Sequence, residues 1–449
     1  MERQQDYVLR TVEERGVRFI QLWFTDVLGI PKAFNITPAE LETALQEGMT
    51  FDGSAIDGFS RVQESDVLAF PDPKTFQLLP YLTDGTPVAK IVCDIINLDG
   101  SPFEGDPRHV LRRALERARG LGFSFYAAPE MEFFYFPSPA PGSDVGEQPP
   151  TPLDHGSYFE LTTSDLATEV RRKTVITLEE MGIPVEYSQH EDAPSQHEID
   201  LRYTDALTMA DTVMTVRHVA KEIAAQHNIL ATFMPKPMAG VQGSGMHTHF
   251  SLFDGETNAF HDEADEYHLS ETGKRFIAGL LRHAGEISAV TNQWVNSYKR
   301  LIVGYEAPVY VAWARNNRSV VVNVPHAKRG KKESTRVEYR APDPATNPYL
   351  AFAAVLTAGL TGIEQGYELP AETTANLYEL TAEQRLAEGI ATLPGSLSDA
   401  VEHMARSELM AETLGEHVFE WFIRNKRAEW ADYKAQVTAF ELRRYLVSL

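Results

Sequence analysis

Residues 243–253 read GSGMHTHFSLF, and from Met246 onward polar and apolar side chains alternate at a period of two. In a strand that period puts His247, His249 and Ser251 on one face and Met246, Thr248, Phe250 and Leu252 on the other. Three further segments repeat the pattern with complementary chemistry. PEMEFFYF places Glu130 and Glu132 on one face, and QHEIDLRY aligns Glu198, Asp200 and Arg202, with Glu191 just upstream in HEDAP. STRVEYRAPD aligns Arg336, Glu338 and Arg340. Carboxylates, imidazoles and guanidiniums in strand register over much of the chain predict one polar cavity lined by a sheet. Such a cavity suits metal ions and phosphate.

Glu130, Glu132, Glu191, Glu198, His247 and Glu338 supply five carboxylates and one imidazole. Hard divalent cations, Mg²⁺ or Mn²⁺, suit this oxygen-rich set better than zinc. Six ligands are enough for two ions, with water and phosphate oxygens completing the shells. Without cations that many buried like charges could not all stay ionised. The plain alternative is a solvated sheet face, common in antiparallel sheets. Four segments that each add a ligand type the others lack outweigh it.

Directly before the His247 strand, MPKPMAGVQGSGMH carries Gly240, Gly243 and Gly245, which let backbone N–H groups approach an anion closely. Downstream, Arg300 and Arg318 flank a loop with Gly304, Glu306 and Pro308. With Arg336 and Arg340 they make four arginines suited to bidentate pairing with carboxylate or phosphate. Arg315 and Lys299 read as ordinary surface cations. No P-loop, kinase signature, nucleophile elbow or dinucleotide fingerprint is present.

Length and composition set the frame. At 449 residues the chain predicts two domains or one large elaborated one. A formal charge of −23 argues against nucleic-acid binding. No apolar run approaches the roughly 18 residues that span a bilayer, so no membrane is expected. Cys93, the single cysteine, sits in the apolar run AKIVCDIINL and reads as a buried strand thiol. The amino terminus reads as a charged amphipathic helix rather than a signal peptide, which predicts a cytoplasmic protein. A second helix is expected after Thr37-Pro38, with Thr37 as its cap. Up to about Gly105 the pattern is that of a small mixed α/β domain, and from Asp106 helices alternate with the polar-faced strands. The carboxy-terminal ELRRYLVSL is apolar enough to dock on the chain's own core or on a neighbouring subunit.

The segments FDGSAIDGF, PEMEFF, HEDAPSQHEID, KPMAGVQGSGMHTHFSLF, NSYKRLIVGYEAP, NNRS, RVEYRAPD and NPYLAFA together resemble type I glutamine synthetase, in order through nearly the whole chain. The resemblance implies an α+β protein. It has a small β-grasp domain over residues 1–105 and a catalytic domain over 106–449, whose curved antiparallel sheet is surrounded by helices. It also implies a homo-oligomer, a dodecamer of two hexameric rings with active sites between neighbouring subunits. By the same resemblance Glu132, Glu191 and Glu198 hold a first metal, and Glu130, His247 and Glu338 a second on the ATP phosphates. Arg300 and Arg340 grip glutamate, with Glu132, His247, Gln242 and Gly243 beside it. Arg318 and Arg336 face the phosphates, and His249 and Ser251 line the nucleotide side. Glu306 is the flap glutamate, and Asp52 and Tyr158 belong to the ammonium site.

Some positions depart from that pattern. Gln242 stands where the family has asparagine, Ala55 where it has serine, Asn323 where it has a phosphate-facing arginine, and Gln189 precedes His190-Glu191 where it has two histidines. Tyr378 reads as structural rather than as a modified tyrosine, because the chain is the short form. The implied activity is ATP-dependent ligation of ammonia to glutamate through γ-glutamyl phosphate, with ATP, glutamate and ammonium as substrates and two or more Mg²⁺ or Mn²⁺ ions. A γ-glutamyl–amine ligase of the same family is the alternative, and a non-catalytic structural relative is the rival from another class. Glu338 is further expected to be removable without unfolding, because its partners on that strand face reach solvent.

Overall fold

The computed structural model describes residues 2–54, 56–58, 66–82, 85–139, 149–161, 166–305, 307–315, 317, 319–326 and 330–449. Ala55, Glu306 and Arg318 lie outside them. The N-terminal unit runs α1 (Glu2–Glu14), β1 (Phe19–Thr25), β2 (Pro31–Ile36), α2 (Pro38–Glu47), β3 (Met49–Asp52), β4 (Asp66–Pro71), β5 (Gln77–Leu78) and β6 (Val88–Ile96). Its sheet has the order β2-β1-β6-β4-β3, with β5 also on β6. β1 and β6 pair in parallel, and the apolar stripes of α1 and α2 cover them through Val8, Val12, Leu41 and Leu45 against Ile20, Leu22 and Ile91. Pro38 starts α2 as expected, but the Thr37 side chain makes no capping bond. Cys93 is buried in β6, and burial raises its thiol pKa well above the usual value.

The larger unit opens with α3 (Pro107–Gly120), capped by Asp106, whose carboxylate accepts from Arg108 N. There follow β7 (Ser124–Pro137), α4 (Leu166–Glu180), β8 (Val185–His190), β9 (Gln196–Leu201), β10 (Thr204–Asp205), α5 (Ala206–Ala225), β11 (Ile229–Thr232), β12 (Thr248–Asp254) and β13 (Thr257–Asn258). α6 (Glu271–Thr291), α7 (Ser297–Arg300), β14 (Tyr310–Ala314), β15 (Val320–Asn323), β16 (Val337–Tyr339) and α8 (Pro348–Glu364) complete the centre. Beyond α8 come α9 (Ala382–Ala387), β17 (Ala391–Thr392), α10 (Leu397–Ala405), α11 (Glu408–Leu414), α12 (Glu416–Lys434) and α13 (Ala439–Tyr445). The sheet order is β17-β14-β15-β16-β12-β7-β9-β8, antiparallel apart from β14 beside β15. The fold class read from the sequence is borne out. The long strand β7 is central, with β12 on one edge and β9 on the other.

Behind the sheet, α8 is apolar on nearly every side and packs against α6. Glycines make that approach possible. A Cβ on Gly359 would stand 2.1 Å from the Phe276 ring, one on Gly279 2.2 Å from Ala358 O, and one on Gly362 2.2 Å from Arg275 O. The two units are joined through the 26–29 turn. Asn347 donates to Asp26 O and Val27 O, Gln293 to Leu28 O and Arg217 to Gly29 O. Gly29 lies at φ +80°, and a Cβ there would meet Asn347 Cα at 2.9 Å, so only glycine fits this turn.

At the carboxy terminus α13 is closed by a Thr438/Glu441 capping box, yet none of its residues is buried. Phe440 and Leu446 are exposed, and Val447 and Leu449 almost wholly so. The apolar tail therefore does not dock on the chain's own core. Among the described residues no helix is long and apolar enough to cross a membrane.

Gly359→Ala forces a methyl into the Phe276 ring and should cost roughly 1–3 kcal/mol through overpacking. Differential scanning calorimetry should show a lowered Tm for Gly359→Ala. Gly120→Ala at the open end of α3, where a Cβ meets nothing within 4 Å, should leave Tm nearly unchanged.

Candidate active site

Cross-strand register assembles the acidic face. Glu130 of β7 stands opposite Asp200 of β9, and Glu132 opposite Glu198. Gln189 of β8 pairs with Glu198 from the far side. On the other edge of β7, the 245–247 backbone accepts from Glu130 N and Glu132 N, which brings His247 over both carboxylates. His249 of β12 is registered against Glu338 of β16. All six carboxylate and imidazole positions expected from the sequence occur on these strands or at their ends.

Distances define two clusters. His247 Nδ1 lies 3.4 Å from Glu130, 3.9 Å from Glu132 and 3.9 Å from Glu338. Ligand atoms of Glu130, His247 and Glu338 all fall within 4.8 Å of one another, so one ion could meet all three. Glu132, Glu191 and Glu198 form the neighbouring group. Burial, followed by the Glu191 charge, pushes Glu132 well above the carboxylate range. Burial, then Asp200 and Glu132, pushes Glu198 up to about 12. These carboxyls repel one another as they stand, and divalent cations would relieve that repulsion. Burial, then Arg340, lowers His247 to about 4, which leaves its imidazole neutral and able to ligate. The donor set fits hard divalent ions.

The surrounding groups orient this set. Gly245 N and Gln196 Nε2 donate to Glu132 Oε2 at 2.9 and 3.0 Å, so the loop N–H reaches a carboxylate of the chain itself. Glycine at 243 and 245 reflects crowding. A Cβ on Gly245 would stand 2.6 Å from Arg300 Nη2, and one on Gly243 2.3 Å from Pro235 O. Gln189 Nε2 donates to Glu191 at 3.0 Å and also to Glu198. Asn323 Nδ2 donates to Glu338 at 2.6 Å, so this departure holds a carboxylate where an arginine was expected to face phosphate. Arg300 is held by the main chain, donating to Ala341 O at 2.8 Å and Arg340 O at 3.1 Å. Arg340 pairs with Glu338.

His249 Nε2 lies 2.7 Å from Glu130, while Arg336 Nε donates to its Nδ1 at 3.2 Å and so fixes the proton on Nε2. Ser251 Oγ donates to Thr335 O. His249, Ser251, Arg336 and Glu130 line a cavity of about 500 Å³ with Asp200, Arg202 and the rings of Tyr126, Tyr187, Tyr203 and Phe253. Asp52 is not among the residues lining it. It ends β3 in the N-terminal unit, where its carboxylate accepts from Ser54 N at 2.8 Å. Tyr158 is exposed and lies against Phe159 with the rings tilted by 59°, and Gln242 is half-buried in the glycine loop. Tyr378 donates to Ala307 O at 3.0 Å and packs on the core.

Two features escaped the sequence reading. Asp200 adds a further buried carboxyl to the face, raised to about 7 by burial and then by Glu130; the period-two pattern displayed it, but it was not counted as a ligand. Gln196, on the same face two residues before Glu198, orients Glu132. Asp154 forms a second knot with His190 and His197, and its Oδ1 accepts from Ser195 N, Gly156 N and His190 Nε2 at 2.9–3.0 Å. The three residues could hold a metal by spacing alone. Arg171 donates to His197 Nδ1 and His190 Nδ1 donates to Glu191 O, while His197 Nε2 and Asp154 Oδ2, 3.6 Å apart, have no hydrogen-bond partner among the described residues. The knot fastens the Tyr158 segment to the β8–β9 connection, which carries Glu191.

Similarity to known proteins agrees with this geometry. Residues 16–98 match the family described as glutamine synthetase, beta-Grasp domain, and residues 104–445 match glutamine synthetase, catalytic domain. The chain is 56% identical over 448 residues to the glutamine synthetase of Mycolicibacterium smegmatis, covering 99% of this chain and 100% of that one. It is 49% identical over 439 residues to the glutamine synthetase of Thermotoga maritima, covering 98% of each. A GmaS–ADP complex superposes with a TM-score of 0.86 at 32% identity, over 98% of this chain and 99% of that one.

The geometry overturns one expectation. Glu338 and Arg340 side chains are 5% and 8% exposed, so the ion-pair partner of Glu338 does not reach solvent. Removing one member of a buried pair costs roughly 3–5 kcal/mol. Glu338→Ala should therefore lower the metal-free Tm clearly. Glu338→Gln, which still accepts from Arg340 and Asn323, should lower it less, while Mn²⁺ titration by electron paramagnetic resonance reports weakened ion binding in both.

Proposed function

The chain belongs to the glutamine synthetase family, and from that premise we propose which of its residues perform each part of the reaction. It joins ammonia to the γ-carboxylate of L-glutamate at the expense of ATP, giving glutamine, ADP and phosphate. The observation that carries the assignment of roles is the convergence of Glu130, Glu132, Glu198, His247 and Glu338 on one buried face beside a nucleotide-sized cavity.

In this reading Glu132, Glu191 and Glu198 would hold one divalent ion and Glu130, His247 and Glu338 another, with Mg²⁺ or Mn²⁺ as the hard cations the donor set suits. The ions supply charge neutralisation for the phosphate oxygens of ATP. Arg300 and Arg340 bind the glutamate carboxylates, and Gln242 and Gly243 border that substrate. Arg336, with Arg318, faces the phosphates, while His249 and Ser251 border the nucleotide. An oxygen of the γ-carboxylate attacks the terminal phosphorus of ATP and ADP leaves. This step is needed because an oxide is too poor a leaving group for direct amide formation. Asp52 takes a proton from ammonium, with Tyr158 nearby. The freed ammonia attacks the acyl carbon, phosphate leaves, and the amide forms. Glu306 closes over the acyl phosphate and keeps water out, since hydrolysis would waste ATP.

The placement of Asp52 in the N-terminal unit, off the cavity wall, supports a site completed by a neighbouring subunit. A ring accords with that arrangement, and the family resemblance extends it to a dodecamer of two rings, with the units divided near residue 105. The exposed apolar tail after Thr438 supports such an assembly. A single buried cysteine accords with a reducing compartment, the cytoplasm. A γ-glutamyl–amine ligase is the second reading, favoured by Ala55, which lacks the hydroxyl beside Asp52, and by Gln242. One missing hydroxyl opens too little room for a polyamine, so ammonia is preferred.

Phosphate release with saturating ATP and glutamate, measured across ammonium, methylamine, putrescine and spermidine, should give the highest kcat/KM with ammonium. Ala55→Ser should sharpen that preference, and a polyamine outperforming ammonium would reverse the assignment. Separately, inactive Asp52→Ala and inactive Glu338→Gln subunits, dissociated and reassembled together, should recover part of the activity. Demonstrably mixed oligomers that stay inactive would refute the shared site.

A further inference from the structure

A second cavity, of about 620 Å³, lies between the two units and plays no part in the ligase chemistry. The 72–77 turn and Lys90 of β6 form one wall, and the 181–184 turn and the start of α5 the other. Gln77 Nε2 donates across it to Met181 O at 2.9 Å. Its carboxylates are all engaged. Asp72 and Asp211 pair with Arg108 at 3.0 and 2.9 Å, and Asp205 caps α5 by accepting from Thr208 N.

Lys90 differs. It is 1% exposed, lines the cavity, and makes no hydrogen bond or ion pair among the described residues; its ammonium lies 4.8 Å from the Trp23 ring. Burial, partly offset by Asp211, lowers its pKa to about 8, so it remains mostly charged at neutral pH. A desolvated ammonium is unfavourable unless something accepts from it. Arg202, exposed on the opposite wall, makes no ion pair among the described residues. Side chains lining the cavity carry five positive and three negative charges, an excess of two.

We propose that this cavity binds a small dianion, a phosphate group or a short dicarboxylate, between Lys90 of the N-terminal unit and Arg202 of the catalytic unit. Leu201, Arg202 and Tyr203 line both this cavity and the nucleotide-side cavity, directly after Glu198 and Asp200 in β9. Occupancy therefore bears on the ATP side of the active site, and the site is regulatory in character.

The test uses the full-length protein and two probes, inorganic phosphate and succinate, in isothermal titration calorimetry at matched ionic strength. Binding of one or both should be saturable, weakened at least about tenfold in Lys90→Met through loss of a charged hydrogen bond, and largely kept in Lys90→Arg. Response to phosphate alone marks a phosphate ligand, and response to succinate alone a carboxylate one. The bound probe should also shift the KM for ATP in wild type and not in Lys90→Met. Without probe, Lys90→Met should melt higher than wild type, since an unpaired buried charge is removed. If Lys90→Met fails to fold, Arg202→Gln on the outer wall should weaken binding in the same sense. Equal affinity in wild type and these variants, or no saturable binding of either anion, overturns the proposal and leaves a water-filled crevice. These readouts are of binding, so their failure leaves the ligase assignment standing.

Discussion

Like charges crowded on one buried sheet face are the constraint around which this molecule is arranged. Glu130, Glu132, Glu198, Asp200 and Glu338 are brought together by strand register, and burial with mutual repulsion drives three of them toward the neutral form. The other two escape that fate through hydrogen bonds and an arginine of the chain. Against burial, hydrogen bonds from His247 and His249 hold Glu130 well below the carboxylate range, and the Arg340 charge lowers Glu338. The face is thus half neutralised from within, and divalent ions and a phosphate-bearing substrate would complete its charge balance. Each of these partners would then make the site more hospitable to the other.

Holding such a face together requires rigidity behind it. Glycines at the α6–α8 contact let a nearly all-apolar helix lie against its neighbour at backbone distance, which supports the sheet from its apolar side. Hydrogen bonds from Arg217, Gln293 and Asn347 to the 26–29 turn lock the N-terminal unit onto the same scaffold. That unit carries Asp52, so the same bonds fix where this carboxylate stands relative to the scaffold. Orienting bonds from Gln189, Gln196, Gly245 N and Asn323 then aim each carboxylate.

The alternation of side chains displayed most of the acidic face before any coordinate was known, because a strand's period of two assigns faces from sequence alone. Asp200 and Gln196 shared that register with Glu198, and their importance emerges only from what stands opposite them. The glycines at 243 and 245 were legible as a site of close approach, but what approaches is Arg300, Pro235 O and Glu132 rather than a free anion. The departure at Asn323 suggested a weakened phosphate contact; in the fold it is a ligand-orienting donor to Glu338. Thr37 was a sound cap by residue type, yet its hydroxyl makes no capping bond and Pro38 alone sets the helix start.

By itself the sequence displayed the change of texture near Asp106 and the chemistry of the acidic face, since these rest on residue type and local periodicity, while the α+β class and the family came from the resemblance of its motifs. Tertiary structure alone decided which carboxylates touch, how deeply Glu338 and Arg340 are buried, and that the tail after Thr438 has no seat on its own chain. It also decided that Lys90, between the two units, has no hydrogen-bond or ion-pair partner among the described residues. The physical reason is that face and propensity are local properties, whereas desolvation and pairing depend on every element packed around a group. A lysine in an apolar strand reads the same whether or not its partner exists. Only the packed fold reveals that none of the described residues supplies one.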